Sequence, residues 1–392
     1  MQKLYDVQEK PKKAFLISII NGQKNESQSH ELERLSDTLG LEIAAHEKIR
    51  VREKSPKYGI GSGKAEELAQ KAAELKADLF VFDWDTSPSQ QRNWEELSGI
   101  PVVDRQELII RIFADRANTR EAELQVKLAE LSYFLPRLTH KYIDLSRQKG
   151  GRYGTKGAGE TKLETDRRKI EKRIHQLEKE VEQVSRQRKM QRRQRGRNNI
   201  PVCAIAGYTN AGKSSLLNAL TGADVPAEDK LFVTLDAVTR RFRPAPEVSV
   251  LLTDTVGFIR SLPHSLIKAF RSTLEEVSSA GVIIHILDSS DPDIENNYET
   301  TISVLRELGA SQIPMITLLN KIDKLRLTNN REGNEITEHL TGKNERKRDQ
   351  PLTLEELHNL FPDSIAVSVK SGIGLELVKE KIVSIISSKY EQ

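Results

Sequence analysis

The sequence predicts an α/β protein in three parts: an N-terminal parallel α/β domain, a long antiparallel helical hairpin and a second α/β domain at the C-terminal end. Three observations predict it. Short apolar runs alternate with amphipathic stretches over the first hundred residues. Leucines then recur at spacings of four, three and four. Strand–helix alternation resumes near Val202 and opens on a glycine-rich loop. The expected boundaries are 1–105, 106–197 and 198–392.

In the first part, Ala14–Ile20, Leu41–Val51, Leu79–Asp83 and Ile100–Val103 read as strands. Glu26–Leu39, Lys64–Lys76 and Pro88–Leu97 read as the helices between them. Short turns between such elements require parallel strands with helices over the sheet. In the second part, Leu124, Leu128, Leu131 and Leu135 share one helix face, and Pro136 should end that helix. A second helix should begin near Glu160, with Leu163, Ile170, Ile174, Leu177, Val181 and Val184 as a heptad-like seam. Between the two helices lies a glycine-rich, basic tip, Gly150–Gly159. Gly196–Asn199 reads as a hinge into the third part, where Val202–Ala206, Val250–Leu252, Val282–Leu287 and Met315–Leu319 read as strands. The polar stretch Leu327–Gln350 has no period and reads as an insertion.

Composition narrows the class. The chain has 392 residues, more than one ordinary core holds, with 37% hydrophobic and 30% charged residues. No apolar run approaches the roughly 20 residues of a membrane-spanning helix. Met1–Lys13 lacks the apolar stretch of a secretory signal. Cys203 is the only cysteine, so no intramolecular disulfide can form and a cytoplasmic location is expected. It reads as a small buried strand residue. Between Ser185 and Arg197 stand Arg186, Arg188, Lys189, Arg192, Arg193, Arg195 and Arg197 with no acid among them. Such a run is either a solvated linker face or a polyanion contact, and clustered arginines favour the second by releasing counterions from phosphates.

The chemistry concentrates in the third part. Gly207-Tyr208-Thr209-Asn210-Ala211-Gly212-Lys213-Ser214 has the P-loop spacing, follows an apolar strand and opens a helical run at Ser215. Its backbone N–H groups and helix N-terminus suit phosphates, Lys213 the outer phosphates, and Ser214 a Mg²⁺ ion. Gly59-Ile60-Gly61-Ser62-Gly63-Lys64-Ala65 is one residue short of that spacing and lacks the hydroxyl, so it reads as a turn before a helix. Asp254-Thr255-Val256-Gly257 ends a strand; its aspartate can hold the ion through water, and the Gly257 N–H can sense a terminal phosphate. Asn320-Lys321-Ile322-Asp323 supplies a carboxylate for the N1 and N2 donors of guanine, which adenine would leave unpaired. Ser368-Val369-Lys370 fits the remaining base-side loop. Together these predict a P-loop GTPase domain binding GTP and GDP with Mg²⁺.

The motif order resembles the translation-factor-related GTPases, and longer stretches resemble one family, the HflX-type GTPases. Phe232-Val233-Thr234-Leu235-Asp236 is similar to that family's first switch. Asp254-Thr255-Val256-Gly257-Phe258-Ile259-Arg260, Leu262-Pro263-His264 and Ala269–Glu276 are similar to its second. Ser87–Asn93, Leu124-Gln125-Val126, Pro136-Arg137-Leu138, Ser146-Arg147-Gln148 and Gly159–Arg168 carry the resemblance outside the GTPase part. The resemblance implies a cytoplasmic GTPase that docks on the large ribosomal subunit and separates the subunits of stalled ribosomes. It places the tip near ribosomal RNA; together with the arginine run, this makes Arg147, Arg152, Lys156, Arg167, Arg168, Arg192 and Arg193 the candidate RNA contacts. It also implies that Thr234 binds magnesium in the GTP state. The chain departs from the family pattern at Arg152-Tyr153, Ala158 and Ala237-Val238.

Phe258 stands where Ras-like proteins carry a water-orienting glutamine, so intrinsic turnover should be slow. Asn210 either coordinates a K⁺ ion that acts as a built-in arginine finger or hydrogen-bonds the switch. Lys213, Thr234, Gly257 and Asn210 are therefore the candidate catalytic residues. His264 reads as a surface or structural histidine rather than a base. The competing functions are a GTP-dependent assembly or dormancy factor and an RNA-binding regulatory GTPase. The N-terminal α/β fold would also permit ATP.

Overall fold

The computed structural model describes residues 13–20, 26–138, 158–197, 200–228, 230–260, 266, 271–325 and 352–390. The candidate RNA contacts Arg147, Arg152 and Lys156, together with His264 and the insertion expected at Leu327–Gln350, lie outside them. The chain divides into two compact units, the first running to Gln191 and also holding Lys230–Phe232, the second beginning at Arg192.

The first unit is built on a four-stranded, all-parallel sheet in the order β2-β1-β3-β4. Its strands are β1 (Lys13–Ile19), β2 (Glu42–Ile49), β3 (Leu79–Phe82) and β4 (Val102–Asp104). Helices α1 (Glu26–Thr38), α2 (Ser62–Glu74), α3 (Pro88–Ser98), α4 (Arg105–Arg116) and α5 (Arg120–Phe134) complete the unit up to Pro136. Strands β1 and β3 are near-continuous apolar runs because a parallel sheet is covered on both faces. Phe15, Phe80, Phe82, Trp94 and Tyr58 form the aromatic core, and the Trp94 indole donates to the Tyr58 carbonyl at 2.9 Å. Local chemistry sets the helix starts. Ser87 and Gln90 form a capping box with Pro88 in the first turn of α3, Asp104 caps α4 and Thr119 caps α5. The loop Gly59–Ala65 leads into α2, which starts at Ser62. Pro136 stops α5, and Leu135–Arg137 forms one 3₁₀ turn.

Helix α4 was not among the expected elements; it packs on α1, β3 and β4 and buries Leu108, Ile109, Ile112 and Phe113. Its first residue, Arg105, pairs with Glu31 and, at 2.8 Å, with Asp83. Burial still pushes the Asp83 carboxyl up to about 6 against the pull of Arg105. Arg137 gathers neighbouring groups at the same C-terminal end of β3 and β4. It donates to Gln91 (3.1 Å), the carbonyls of Tyr133 (3.0 Å) and Thr86 (2.8 Å), and Asp104 (3.0 Å), while its guanidinium stacks 3.6 Å over Tyr133. Gln91 and Arg137 come from two of the stretches that carried the family resemblance, and here they meet.

The 40-residue α6 (Ala158–Arg197) runs through Gly196 and Arg197, so these two residues of the hinge expected at Gly196–Asn199 are helical, while 198 and 199 lie outside the described residues. Flanking residues of high helix propensity absorb one glycine at a cost of about 1 kcal/mol. Of the expected seam, Leu177 is fully buried, and Ile170, Ile174, Val181 and Val184 are half-buried.

The second unit carries a six-stranded sheet in the order β10-β9-β8-β5-β7-β6. Its strands are β5 (Val202–Gly207), β6 (Val238–Ala245), β7 (Val248–Asp254), β8 (Val282–Asp288), β9 (Met315–Asn320) and β10 (Ile365–Ala366). All pairs are parallel except the edge pair β6–β7, which no sequence signal indicated. Helices α7 (Lys213–Thr221), α8 (Arg271–Ser278), α9 (Ile294–Glu307), α10 (Leu354–Leu360) and α11 (Leu375–Tyr390) accompany it. The sheet order reverses at β5, so the crevice beyond its C-terminal end is where an open α/β sheet takes its ligand. Cys203, as expected, is buried in β5, and burial pushes its thiol up to about 12. His285, in β8, is fully buried; neither ring nitrogen has a hydrogen-bond partner, and the ring lies 5.3 Å from that of Tyr298.

Candidate functional site

The P-loop connects β5 to α7 at the reversal point. Gly212 has φ +103°, and a Cβ there would lie 2.4 Å from the Asn320 amide, so only glycine lets the two loops close. Lys213 is buried, and its Nζ donates to the carbonyls of Tyr208 (2.7 Å) and Gly207 (3.2 Å). Burial lowers its pKa to about 8, with Asp254 opposing. The ammonium is thus folded back on its own loop, and bound phosphates would offer it a more strongly charged partner.

Three oxygens converge beside it. The Ser214 hydroxyl donates to Asp254 Oδ2 at 2.6 Å, Thr234 donates to the same oxygen at 2.9 Å, and the two hydroxyls lie 2.8 Å apart. Asp254 Oδ1 is buried without a partner, and burial raises the carboxyl's pKa. A hard divalent cation takes hydroxyl, carboxylate and water oxygens of this kind, so the donor set fits Mg²⁺.

Gly257 packs against the P-loop so closely that a Cβ would lie 2.8 Å from Thr209 Cγ2 and 2.9 Å from Lys213 Nζ. The chain beyond it adds to the loop like a short strand: Thr209 N–H donates to the Phe258 carbonyl (2.8 Å) and Phe258 N–H to the Gly207 carbonyl (3.1 Å). The Phe258 side chain is buried, so this position offers backbone only. Arg260 N–H donates to the Tyr208 hydroxyl (3.0 Å), and its guanidinium is held by Asp293 and Asn297 at the start of α9. Thr255 and Val256 are buried within the strand end.

The base-side loops are equally ordered. Asn320 donates to the Ala211 carbonyl (2.9 Å) and accepts from Val369 N–H (3.1 Å). Asp323 accepts from the Ser368 hydroxyl at 2.6 Å, which holds its carboxyl below the usual range. Two non-glycine residues here sit at left-handed φ, Asn210 at 62° and Lys321 at 65°, the kind of backbone strain that function retains.

The structure thus brings together Gly207–Ser215, Thr234, Asp254, Gly257, Asn320, Asp323 and Ser368 around one crevice. Phe232 is placed differently: it groups with the first unit, at φ 55°, its ring edge-on to Phe113 at 4.7 Å. Its side chain serves packing. Arg167 and Arg168 are exposed on α6 and paired with Glu171 (2.9 Å) and Glu164 (3.0 Å). Arg192 and Arg193 lie on the same helix, with side chains outside the described set. Missed by sequence reasoning was Asp288, which meets Lys321 in this site; a lone strand-end aspartate carries no spacing signal.

Comparison with known proteins gives the class. A family model described as 50S ribosome-binding GTPase matches residues 202–321. Models described as GTP-binding GTPase N-terminal and GTP-binding GTPase Middle Region match 26–114 and 116–195. A curated GTPase HflX of Caldanaerobacter subterraneus subsp. tengcongensis is 43% identical over 356 residues, 91% of this chain and 82% of that relative. One of Akkermansia muciniphila is 46% identical over 334 residues, 82% of this chain and 76% of the relative. A crystal structure of a complex of SsGBP with GDP covers 96% of this chain and 99% of its own, at 26% identity and a TM-score of 0.50.

Fold, site and matches together define a P-loop GTPase. Its similarity to the two relatives extends well beyond the nucleotide site, through the N-terminal and middle regions. The chain belongs to the GTPase HflX family. No helix among the described residues is long and apolar enough to cross a membrane.

Proposed function

We propose that the protein is a GTP-timed factor of the large ribosomal subunit that separates the subunits of stalled ribosomes. The family model described as 50S ribosome-binding GTPase, matching most of the nucleotide domain, supports the partner. The basic run on α6 supports a phosphate backbone as the surface met. Gradient sedimentation of intact ribosomes with protein tests the action. With GTP or a non-hydrolysable analogue, free subunits are expected; intact particles carrying bound protein would instead make it an assembly or dormancy factor.

Hydrolysis here is positioning plus charge neutralisation. Lys213 leaves its loop carbonyls for the outer phosphates, the Gly257 N–H faces the terminal phosphate, and Asp323 reads guanine. Ser214 and Thr234 would hold Mg²⁺, with Asp254 behind its water; when bound, the ion neutralises charge on the phosphate oxygens. Phe258 supplies no group to orient water, so intrinsic turnover is slow and rises when large subunits order the switches.

Asn210 sits in the P-loop with its carbonyl committed to Lys321 at 2.8 Å. We assign its side chain to a K⁺ ion beside the phosphates. Turnover at saturating GTP is expected to be about tenfold faster in potassium than in sodium buffer of equal ionic strength, about 1.4 kcal/mol of barrier. Equal rates would remove the ion from the mechanism.

A further inference from the structure

The ends of β8 and β9 stand side by side, with Asp288 paired in register with Asn320. The Asp288 carboxylate is fixed from one side: Oδ1 accepts from Ser290 N–H at 3.0 Å and from the Ser290 hydroxyl at 2.5 Å. From the other side Oδ2 meets the Lys321 ammonium at 2.7 Å. The same ammonium donates to the Asn210 carbonyl in the P-loop at 2.8 Å. One positive charge therefore ties three loops together: the phosphate loop, the turn after β8 and the base-reading loop. Both side chains of the pair are more than four-fifths buried, so solvent screens it weakly.

Lys321 needs such a tether. Its backbone lies at φ 65°, ψ 30°, a conformation that costs a residue with a side chain about 1 kcal/mol or more. It stands between Asn320, bonded to the P-loop carbonyl of Ala211, and Asp323, the carboxylate facing the base. Where Lys321 is held decides how far the base-reading carboxylate stands from the phosphate grip. From this geometry we infer that Asp288 is a positioning residue. It acts through Lys321 to set the span between base and phosphate subsites, and so governs nucleotide retention rather than the chemical step. The inference rests on the guanine-nucleotide reading of the site.

The test is release of fluorescent GDP from the full chain, with steady-state GTP hydrolysis alongside. Asp288→Asn keeps the shape and the acceptor toward Ser290 but turns an uncharged amide to the ammonium. Release is expected to accelerate about tenfold, the size of one charge-assisted hydrogen bond, and KM to rise while kcat stays within twofold. Lys321→Ala should accelerate release at least as much, and the double variant should release no faster than Lys321→Ala alone, because both changes cut one tether. Additive effects, unchanged release, or a fall in kcat at constant KM would each overturn the inference. Ser290→Ala, which removes the hydroxyl bond to the carboxylate but keeps the backbone N–H bond and the charge, should accelerate release about threefold and decides the matter should Asp288→Asn not fold; wild-type release in that variant would overturn it. Wild-type protein that fails to hold fluorescent GDP against excess ATP would instead overturn the guanine-nucleotide reading itself.

Discussion

Replacing Asp323 by asparagine is expected to weaken GTP binding by at least about 100-fold and to transfer preference to xanthosine triphosphate. A carboxylate offers two acceptors to the N1–H and N2–H₂ donors of guanine. Asparagine offers one acceptor and one donor, so its amide N–H₂ would face the guanine amine, donor against donor. Xanthine carries a carbonyl at that position and restores the match. A specific site loses several kcal/mol when a buried polar group is left opposed or unpaired, and each 1.4 kcal/mol is about tenfold. Ser368 can still donate to the asparagine carbonyl as it does to Asp323, so the loop should survive the exchange. Competition of GTP, xanthosine triphosphate and ATP against fluorescent GDP measures the switch. An asparagine variant that keeps its preference for GTP would remove Asp323 from base recognition.

His285 carries the second large effect, on stability. Burial lowers its pKa from 6.5 to about 3, with Lys213 adding repulsion, so the folded chain keeps the ring neutral where the unfolded chain would protonate it. A folded-state pKa below the unfolded value means the unfolded state binds more protons between the two. Stability is therefore unaffected above about pH 6.5 and falls as pH drops from there toward about 3. Between pH 6.5 and pH 5 the loss from this one residue is about 2 kcal/mol, at 1.36 kcal/mol per unit. His285→Leu removes the titration and also the two unpartnered ring nitrogens. Denaturant unfolding of the nucleotide-free protein should show the variant at least as stable at pH 7.5 and about 2 kcal/mol less sensitive to the step to pH 5. An equal fall in both proteins would place the acid sensitivity elsewhere.

The placement of much of the candidate nucleotide site was legible because its chemistry demands fixed residue types at fixed spacing after a strand. Gly207–Ser214, Asp254–Gly257 and Asn320–Asp323 all stand at strand ends, as those patterns require. The parallel sheets were legible from their apolar runs. Strand β6 was not, because an edge strand with exposed Arg240, Arg241 and Arg243 and a proline at 244 has lost both the alternation and the apolar run. The pairings that set side-chain direction were also hidden. Asp288 with Lys321, Arg137 with Asp104 and Arg105 with Glu31 are brought together by topology across 33 to 74 positions, and no local pattern encodes such a meeting. Phe232 illustrates the converse: membership of a switch-like stretch did not reveal that its ring points into apolar packing.

The sole thiol of the chain sits in the middle strand of the nucleotide domain, inaccessible and with its ionisation driven toward alkaline pH. Electrophiles are attacked by thiolate rather than thiol, so labelling of Cys203 in the folded protein by maleimides or iodoacetamide at neutral pH is expected to be slow. A fluorophore attached through one cysteine introduced at an exposed position will therefore report from that position alone, without first removing Cys203.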